Sequence, residues 1–504
     1  MKRALVAAGH PLVAKTAAGI MKKGGNAYDA VVAAGFTSAV VEPALTSLGG
    51  GGFLLARTKK GETKLFDFFV NTPGKGLPDK YHKPHFFPIT VKFPGSEQVF
   101  NIGLGSVAVP GNLKGFLYVH KRLGRLPLKT IVEPAINLCE NGVELNEYQA
   151  YFLSLLEPIM TLKEEGRKIF LKNGKFCKKG DVIFNKELAS FLKRLPEDQG
   201  KSFYEGEIAK KIAEDMKKGG GVLTYEDLKS YKVIEREPLK ANFRGWKVLT
   251  NGFPSFGGQL ISITFDTLNE LKLPIFHEKY TTPQDILILG AIFKEIETYK
   301  AELLNNKDVQ FKEKWKERTI EKIDRLFSRG TTHISICDQD GNVASMTTSN
   351  GEGSGYYAPG TGIMLNNMMG EDDLHPEGFH ASPPGIRVGS MMSPTLLLKD
   401  GDVKLVLGSG GSKRIRTAIT QVIINYVAYK MPIKDAVNAP RIHFDGEVFQ
   451  VEPGFDSNTI KTLGHLAPVN LWDNIDVYFG GVHAVEPFKD GAGDPRRGGC
   501  VEEL

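Results

Sequence analysis

The sequence predicts an α+β protein, because helical patterns dominate the chain before residue 330 and β-hairpins dominate it afterwards. Before that point, apolar residues recur at helical spacing; after it, alternating apolar residues flank short polar turns. The chain has 504 residues, of which 41% are hydrophobic and 24% are charged. This composition is typical of a globular protein that is long enough to bury a large core.

The first elements are predicted to be two helices and a strand. Val13, Ala17, Ile20 and Met21 lie at helical spacing, and "KKGGN" ends this helix after Lys23. The next stretch, "AYDAVVAAGFTSAVVEP", predicts a buried helix because nearly every position is small and apolar. In "SLGGGGFLLAR" four glycines lead into an apolar strand, and such a run lets the backbone approach another group closely.

The remaining elements before residue 330 are mainly helical. Residues 60–75 predict a strand followed by a turn, and residues 112–240 predict mostly amphipathic helices. In "NGFPSFGGQLISITFDTLNEL" a Pro/Gly turn precedes another helix. Residues 285–328 predict a helical segment that ends in the charged run "FKEKWKERTIEKIDRLFSRG".

Two hairpins and a helix are predicted after residue 330. The first hairpin is "HISICDQDGNVASMTTSN", with its turn at "DQDG". The second is "MMSPTLLLKDGDVKLVLGSGGS", with its turn at "KDGD". A helix, "RTAITQVIINYVAYK", follows. Strands and helices from both parts of the chain therefore contribute to one layered architecture.

Composition argues against several classes of protein. The net charge of +6 is small for 504 residues, and no dense basic block suggests nucleic-acid binding. We identify neither a signal peptide nor an apolar run long enough to span a membrane. The cysteines form no CxxC motif and suit a reducing compartment, so we expect a cytoplasmic protein without disulfides; they are Cys139, Cys177, Cys337 and Cys500.

The sequence "GTTH" at residues 330–333 is a candidate catalytic motif. A threonine hydroxyl is a weak nucleophile unless a base lies beside it. If the bond between Gly330 and Thr331 were cut, Thr331 would carry its own base, an α-amine with a pKa of about 8. Gly330 offers an uncrowded carbonyl to the Thr331 hydroxyl. An ordinary turn at the start of a strand is the alternative interpretation.

The sequence "GSGGS" at residues 408–412 is a second candidate. Gly410 and Gly411 follow an apolar strand and precede a helix, so their backbone N–H groups are free of side-chain obstruction. N–H groups in such a position can form an oxyanion hole. A tight turn between a strand and a helix would use the same residues.

Several longer motifs follow one another along the chain. The chain has "KGGNAYDAVVAA", "LGGGGF", "FYEGEIAKKIAEDMKKGGGVLTYEDLKSY", "GFPSFGG", "TTHISICDQDGNVA", "SPTLLLKDG", "GSGGSKRI" and "DPRR". In their residues and in their order, from near residue 10 to near residue 497, these stretches resemble the γ-glutamyltranspeptidase family of N-terminal nucleophile hydrolases.

The resemblance implies a four-layer αββα sandwich made as one precursor. The precursor would cut itself into a large subunit, residues 1–330, and a small subunit that begins at Thr331. Thr331 would act as nucleophile and, through its amine, as base. Ser349 occupies the position of a second threonine of the family, and Gly410 and Gly411 match the oxyanion glycines. The implied partners are the two subunits themselves and a small amide or γ-glutamyl substrate, with no nucleic acid, membrane, metal or cofactor.

The substrate-binding residues depart from the family pattern. Phe69, in "DFFVNTP", stands where the family has an arginine that holds the glutamyl α-carboxylate, and a phenyl ring cannot form that contact. Met368 replaces the acid or amide that binds the α-amine, and an insertion displaces the acids that follow, so that Asp372, Asp373 or Glu371 would have to reach the amine.

A further departure lies before "SPT". The family has a pair of serines there, whereas this chain has Ser390 and Met391, so one hydroxyl is lost. The sequence therefore predicts retained catalysis with a more apolar pocket.

Three functions remain open at this point. They are γ-glutamyl transfer or hydrolysis, an amidase activity on another acyl group as in the related cephalosporin acylases, and a non-catalytic binding protein. The histidines form no recognisable metal-ligand pattern and are predicted to be structural; they are His333, His375, His380 and His483.

Overall fold

The structure is a computed structural model of the single chain. It describes residues 2–78, 84–93, 96–271, 276, 282–305, 330–371, 374–375 and 378–504. The predicted helix over 285–328 is confirmed as far as residue 305, and its charged end lies outside the described residues. Among the residues described, no helix is both long and apolar enough to cross a membrane.

The helices lie mostly before residue 330, as predicted. Their bounds are α1 Pro11–Lys22, α2 Ala27–Val41, α3 Asn112–Leu123, α4 Leu128–Asn141, α5 Glu147–Leu155, α6 Glu157–Met160, α7 Glu164–Phe170, α8 Lys186–Asp198, α9 Lys201–Tyr204, α10 Glu207–Gly219, α11 Tyr225–Ser230, α12 Phe256–Glu270, α13 Pro283–Asn305, α14 Arg414–Val427, α15 Ile433–Asn438 and α16 Ser457–Leu463.

The strands come from both parts of the chain. Their bounds are β1 Leu5–Ala8, β2 Gly51–Arg57, β3 Thr63–Phe68, β4 Phe87–Phe93, β5 Ser96–Ile102, β6 Val143–Glu144, β7 Leu171–Lys172, β8 Lys175–Phe176, β9 Val182–Ile183, β10 Ile234–Arg236, β11 Leu239–Phe243, β12 Trp246–Thr250, β13 Thr332–Cys337, β14 Val343–Ser349, β15 Tyr357–Ala358, β16 Ile363–Met364, β17 Thr395–Lys399, β18 Asp402–Gly410, β19 Ile442–Phe444, β20 Phe449–Val451, β21 Val469–Leu471, β22 Gly481–Glu486, β23 Asp490–Ala492 and β24 Cys500–Glu503.

Two large sheets form the centre of the molecule. The seven-stranded sheet has the order β10-β3-β2-β14-β13-β1-β24, and the six-stranded sheet has the order β11-β12-β17-β18-β22-β23. The strands β13, β14 and β1 of the first sheet pack against β18 and β22 of the second. Helices α1 and α2 cover the first sheet, and α12 and α14 pack on the second. This confirms the four-layer αββα sandwich.

Alternating side chains fill two separate cores. On β1, Val6 and Ala8 point into the core under α1 and α2, whereas Leu5 and Ala7 point into the core shared with the second sheet. Both faces of this sheet are therefore covered, and its strands are apolar at nearly every position. Helix α2 is buried around almost its whole circumference, which explains its run of small apolar residues.

A buried charge network fixes the segment that follows β23. Asp494 accepts hydrogen bonds from Arg441 Nη2 at 2.6 Å, from Val482 N at 2.8 Å and from Arg496 N at 3.0 Å. Burial alone would raise the pKa of Asp494, but Arg441 and Arg496 outweigh it and lower that pKa to about 2. Arg496 also pairs with the buried Glu452. Asp494 and Arg496 of the "DPRR" motif thus anchor this segment.

We predict that Asp494→Asn lowers the free energy of unfolding by about 3–5 kcal/mol, because it leaves two buried guanidinium groups without their shared carboxylate. Urea unfolding would measure the loss. Asp402→Asn is a matched control, since the Asp402–Lys404 pair is exposed and its loss is expected to cost less than about 1 kcal/mol. Equal midpoints for the two variants would contradict the prediction.

Candidate active site

Thr331 lies at the entrance to β13, a central strand of the seven-stranded sheet. Its side chain is only 4% exposed. Strand β13 pairs with β14 so that Thr332 faces Thr348, and β14 ends at Ser349. The first predicted hairpin is therefore confirmed, and its register brings Ser349 beside the bond that precedes Thr331.

A chain of hydrogen bonds leads to the carbonyl group of Gly330. The Ser349 hydroxyl donates to the Gly330 carbonyl oxygen, and Ser349 Oγ accepts from Gly351 N at 2.9 Å. Each bond in such a chain polarises the next. A donor on this oxygen would stabilise the negative charge that forms there if the Thr331 hydroxyl attacked the carbonyl carbon.

Gly330 occupies a space that admits no side chain. A Cβ atom at this position would lie 2.3 Å from the Gly351 carbonyl oxygen and 2.7 Å from the Ala44 carbonyl oxygen. Both contacts are with backbone, which cannot rotate away. Close packing, in addition to an uncrowded carbonyl, therefore explains the glycine before Thr331.

The loop with Gly410 and Gly411 lies directly against Thr331. Strand β18 ends at Gly410, and a turn leads into α14 at Arg414, as predicted. A Cβ at Gly410 would lie 2.4 Å from the Thr331 carbonyl oxygen, and Gly411 has a φ of +121°. The structure thus brings together the two candidate motifs, which are 80 residues apart in the sequence.

Two buried charged residues lie beside Thr331, and neither carries a predicted role in the sequence analysis. Arg497 Nη1 donates to the Thr331 carbonyl oxygen at 3.2 Å. Thr332 Oγ1 donates to Glu42, with 3.1 Å to Oε1. Burial raises the pKa of Glu42 to about 7, against the lowering effect of hydrogen bonds from Thr332 and Ser38 and of the Arg497 charge. In the sequence, Glu42 could have been singled out as an acidic residue that directly follows the apolar helix α2.

The departures from the family pattern lie in one apolar region. Phe69 is buried and stacks on Phe53, with ring centroids 5.4 Å apart. Met368 and Met391 are buried and belong to the same hydrophobic cluster as Phe69. The Ser390 hydroxyl oxygen accepts from Met392 N at 3.1 Å, which holds this segment in place. Asp372 and Asp373 lie outside the described residues, so their predicted contact with substrate stays a prediction.

Arg387 lies beside the Phe69 segment, since its backbone pairs with that of Asn71. Its guanidinium donates to Asp67 Oδ1 at 2.9 Å and to the carbonyl oxygens of Asp67 and Lys232 at 2.8 Å. It also stacks on Tyr231. Arg387 therefore stabilises this segment, and its donors are already engaged.

His333 is part of a buried polar network between the two sheets. Its ring nitrogens lie 2.8 Å from Thr347 Oγ1 and 3.0 Å from Ser335 Oγ. Burial lowers the pKa of His333 well below its ordinary value, so the ring is neutral. His483 is also buried, and burial lowers its pKa to about 4. In the part of the chain that the structure describes, no group of His, Cys, Asp and Glu is arranged to hold a metal ion.

Comparisons with known proteins identify the family of the chain. The sequence model of the gamma-glutamyltranspeptidase family matches residues 13–301 and 288–504. The chain is 32% identical to the glutathione hydrolase proenzyme of Escherichia coli, over 92% of this chain and 85% of the relative. It is 28% identical to the acylase ACY 1 proenzyme of a Pseudomonas species, over 92% of this chain and 86% of the relative.

A solved structure shows the same fold. The cephalosporin acylase from Bacillus halodurans superposes with a TM-score of 0.79 at 24% identity, covering 99% of this chain and 96% of that one. A buried threonine at the start of a central strand, between two sheets and beside a glycine-rich loop, defines the class of N-terminal nucleophile hydrolases. Within that class, the chain belongs to the gamma-glutamyltranspeptidase family.

We predict that Ser349→Ala slows self-cleavage at Gly330 by about 10²–10³-fold, because the Gly330 carbonyl loses its hydroxyl donor. Ser349→Thr keeps a hydroxyl and should still cleave. Ser354→Ala is a matched control, since Ser354 is a buried hydroxyl of the same loop that donates to Leu365 O instead. Denaturing gels over time would measure cleavage, and wild-type rates in Ser349→Ala would contradict the assigned contact.

Proposed function

We propose that this chain is the precursor of a γ-glutamyltransferase or glutathione hydrolase-like enzyme that uses Thr331 as its nucleophile. The observation that carries the proposal is the contact of the Ser349 hydroxyl with the Gly330 carbonyl, next to the buried Thr331. Cleavage would produce the subunits 1–330 and 331–504. Membership of a family that contains proenzymes supports this maturation.

Maturation would proceed by an N→O acyl shift. The Thr331 hydroxyl oxygen adds to the Gly330 carbonyl carbon, and the amide nitrogen of Thr331 leaves as an amine after taking up a proton. The result is an ester between Gly330 and Thr331 Oγ1. Water then hydrolyses this ester, which releases the Gly330 carboxylate and restores the Thr331 hydroxyl.

Catalysis would repeat the same addition on a substrate amide. The free amine of Thr331 takes the proton from its own hydroxyl, and the oxygen attacks the substrate carbonyl. The amine leaving group departs with that proton, and the acyl group stays on Thr331. Water or an acceptor amine then removes it, which gives hydrolysis or transfer. The N–H groups of Gly410 and Gly411 would bind the oxyanion of these steps.

The acyl specificity is a separate question. γ-Glutamyl compounds are the first donors to test, because the relative with 32% identity is named a glutathione hydrolase. The stacking of Phe69 on Phe53 favours a second candidate, an amidase for a less polar acyl group. No arginine stands at the Phe69 position, and Arg387 is engaged with Asp67.

We predict that the purified protein consists of the fragments 1–330 and 331–504, and that Thr331→Ala stays full-length because it lacks the attacking hydroxyl. Thr331→Ser should cleave more slowly. Intact-mass spectrometry under denaturing conditions would identify a new N-terminus at Thr331. A folded wild-type chain that stays whole after long incubation would refute self-cleavage and favour a non-catalytic binding protein.

A second prediction concerns the acyl group. Loss of a charge-assisted hydrogen bond to a carboxylate costs about 1.5–3 kcal/mol, so γ-glutamyl anilide should gain little over anilides whose acyl group lacks the α-amine or both charged groups. We expect kcat/KM for γ-glutamyl, glutaryl and pentanoyl anilides to lie within roughly a factor of ten of one another. Efficient γ-glutamyl turnover at low micromolar KM would contradict this prediction.

The variant Phe69→Arg tests the acyl specificity by changing the protein instead of the substrate. The new cation would enter an apolar cluster without a partner, so we expect a less stable protein and no restored γ-glutamyl preference. Phe69→Leu serves as the control, since it changes the ring without adding charge. A large gain in γ-glutamyl kcat/KM in Phe69→Arg would show that the neighbouring residues already form a glutamate site.

A further inference from the structure

Arg497 contacts both parts of the proposed catalytic machinery. Its Nη1 donates to the Thr331 carbonyl oxygen at 3.2 Å. A Cβ added at Gly410 would lie 3.1 Å from the same nitrogen, and one at Gly411 would lie 3.4 Å from Nη2. One guanidinium group therefore lies against the nucleophile residue and against the glycine loop.

The position of Arg497 is fixed by the surrounding structure. Its side-chain carbons cover Gly481, where a Cβ would lie 2.4 Å from Cδ. Its neighbour Arg496 is held by Asp494 and Glu452 in the buried network. The guanidinium also lies over the ring of Phe152, 5.9 Å from its centroid. Arg497 is thus a buried cation whose side chain is packed against Gly481 and Phe152.

The charge of Arg497 lies close to the nitrogen that becomes the base. The nitrogen and carbonyl oxygen of one residue are separated by three bonds, which places them about 3–4 Å apart. The Thr331 nitrogen is therefore within about 7 Å of Arg497 Nη1. A positive charge at such a distance disfavours protonation of an amine and lowers its pKa.

Other charged groups lie around Arg497 and the Thr331 nitrogen. Glu42 on the α2 side opposes the effect of Arg497, and Arg414 at the start of α14 adds to it. Asp494 interacts with Arg497 from the C-terminal segment, and His483 on β22 is neutral because burial lowers its pKa to about 4. Asp476 also interacts with Arg497, and the Glu371 carboxylate lies beside Gly351, with Oε1 2.2 Å from where a Cβ of that residue would be.

We infer that Arg497 is a positioning residue which holds Thr331 against the Gly410–Gly411 loop and whose charge keeps the freed Thr331 amine unprotonated at lower pH. This inference rests on the proposed role of Thr331 as nucleophile and base. It assigns a function to the last arginine of "DPRR", whereas Asp494 and Arg496 of that motif are structural.

Two variants separate charge from hydrogen bonding. Arg497→Lys keeps the charge and loses the planar guanidinium, whereas Arg497→Gln keeps an N–H donor and loses the charge. The measurement is kcat/KM against pH for the mature enzyme, whose acid limb reports the pKa of the base in the free enzyme. We expect the acid limb of Arg497→Gln to move up by about 1 pH unit, and that of Arg497→Lys to stay in place.

Arg416→Gln is a matched control, because Arg416 is a buried arginine that pairs with Glu297 on α13. It should lower the melting temperature without moving the acid limb. If Arg497→Gln does not mature, Glu42→Gln provides the second test. Because the pKa of Glu42 is raised to about 7, only part of it is ionised where the amine titrates, so its removal should move the acid limb to lower pH by less than Arg497→Gln moves it up.

The outcomes separate this inference from the proposed function. If the wild type does not cleave, or if Thr331→Ala turns over substrate, the proposed function fails. If the wild type matures and turns over but neither Arg497→Gln nor Glu42→Gln moves the acid limb, the inference about Arg497 is wrong. An acid limb that moves equally in Arg497→Lys and Arg497→Gln would also overturn the role of the charge.

Discussion

The candidate active site depends on the register between β13 and β14. Because Thr332 faces Thr348, the carbonyl before Thr331 meets the hydroxyl of the last residue of β14. A slip by one residue would turn Ser349 to the other face of the sheet and leave the Gly330 carbonyl without this donor. The same register aligns β14 with β2, where Ser349 faces Gly51 of the four-glycine run. The glycines allow the close backbone approach that this pairing needs.

The elements with a strong local signal could be predicted from the sequence. Helices α1, α2, α12 and α14 and both hairpins after residue 330 occur where periodicity and turn residues placed them. Strand β1 was missed, because "LVAA" is as compatible with a helix as with a strand and only its neighbours β13 and β24 make it a strand. Strands β22 to β24 were not predicted either.

The candidate site divides in a similar way. Thr331, Ser349, Gly410 and Gly411 stand in motifs and were found, whereas Glu42 and Arg497 contribute through contacts between residues far apart in the chain. Such contacts follow from the packing of the layers, which a single sequence does not contain. The structure also explains Phe69, which packs on Phe53 as part of the core. The neighbouring backbone is held by Arg387, which donates to Asp67.

The order of strands has a consequence for the cut enzyme. In the seven-stranded sheet the strand order is β10-β3-β2-β14-β13-β1-β24. Strand β1 therefore lies between two strands that follow residue 330, and β14, which also follows residue 330, lies beside β2, which precedes it. After cleavage both polypeptides would still contribute alternating strands to one sheet. Strand β1 of the large subunit would be hydrogen-bonded on both edges to strands of the small subunit. Neither subunit could dissociate in a folded state, so dilution alone would not separate them. Their separation would require unfolding of the whole sandwich. Cleavage of one peptide bond would therefore free the Thr331 amine, while the two subunits would stay together as one folded unit.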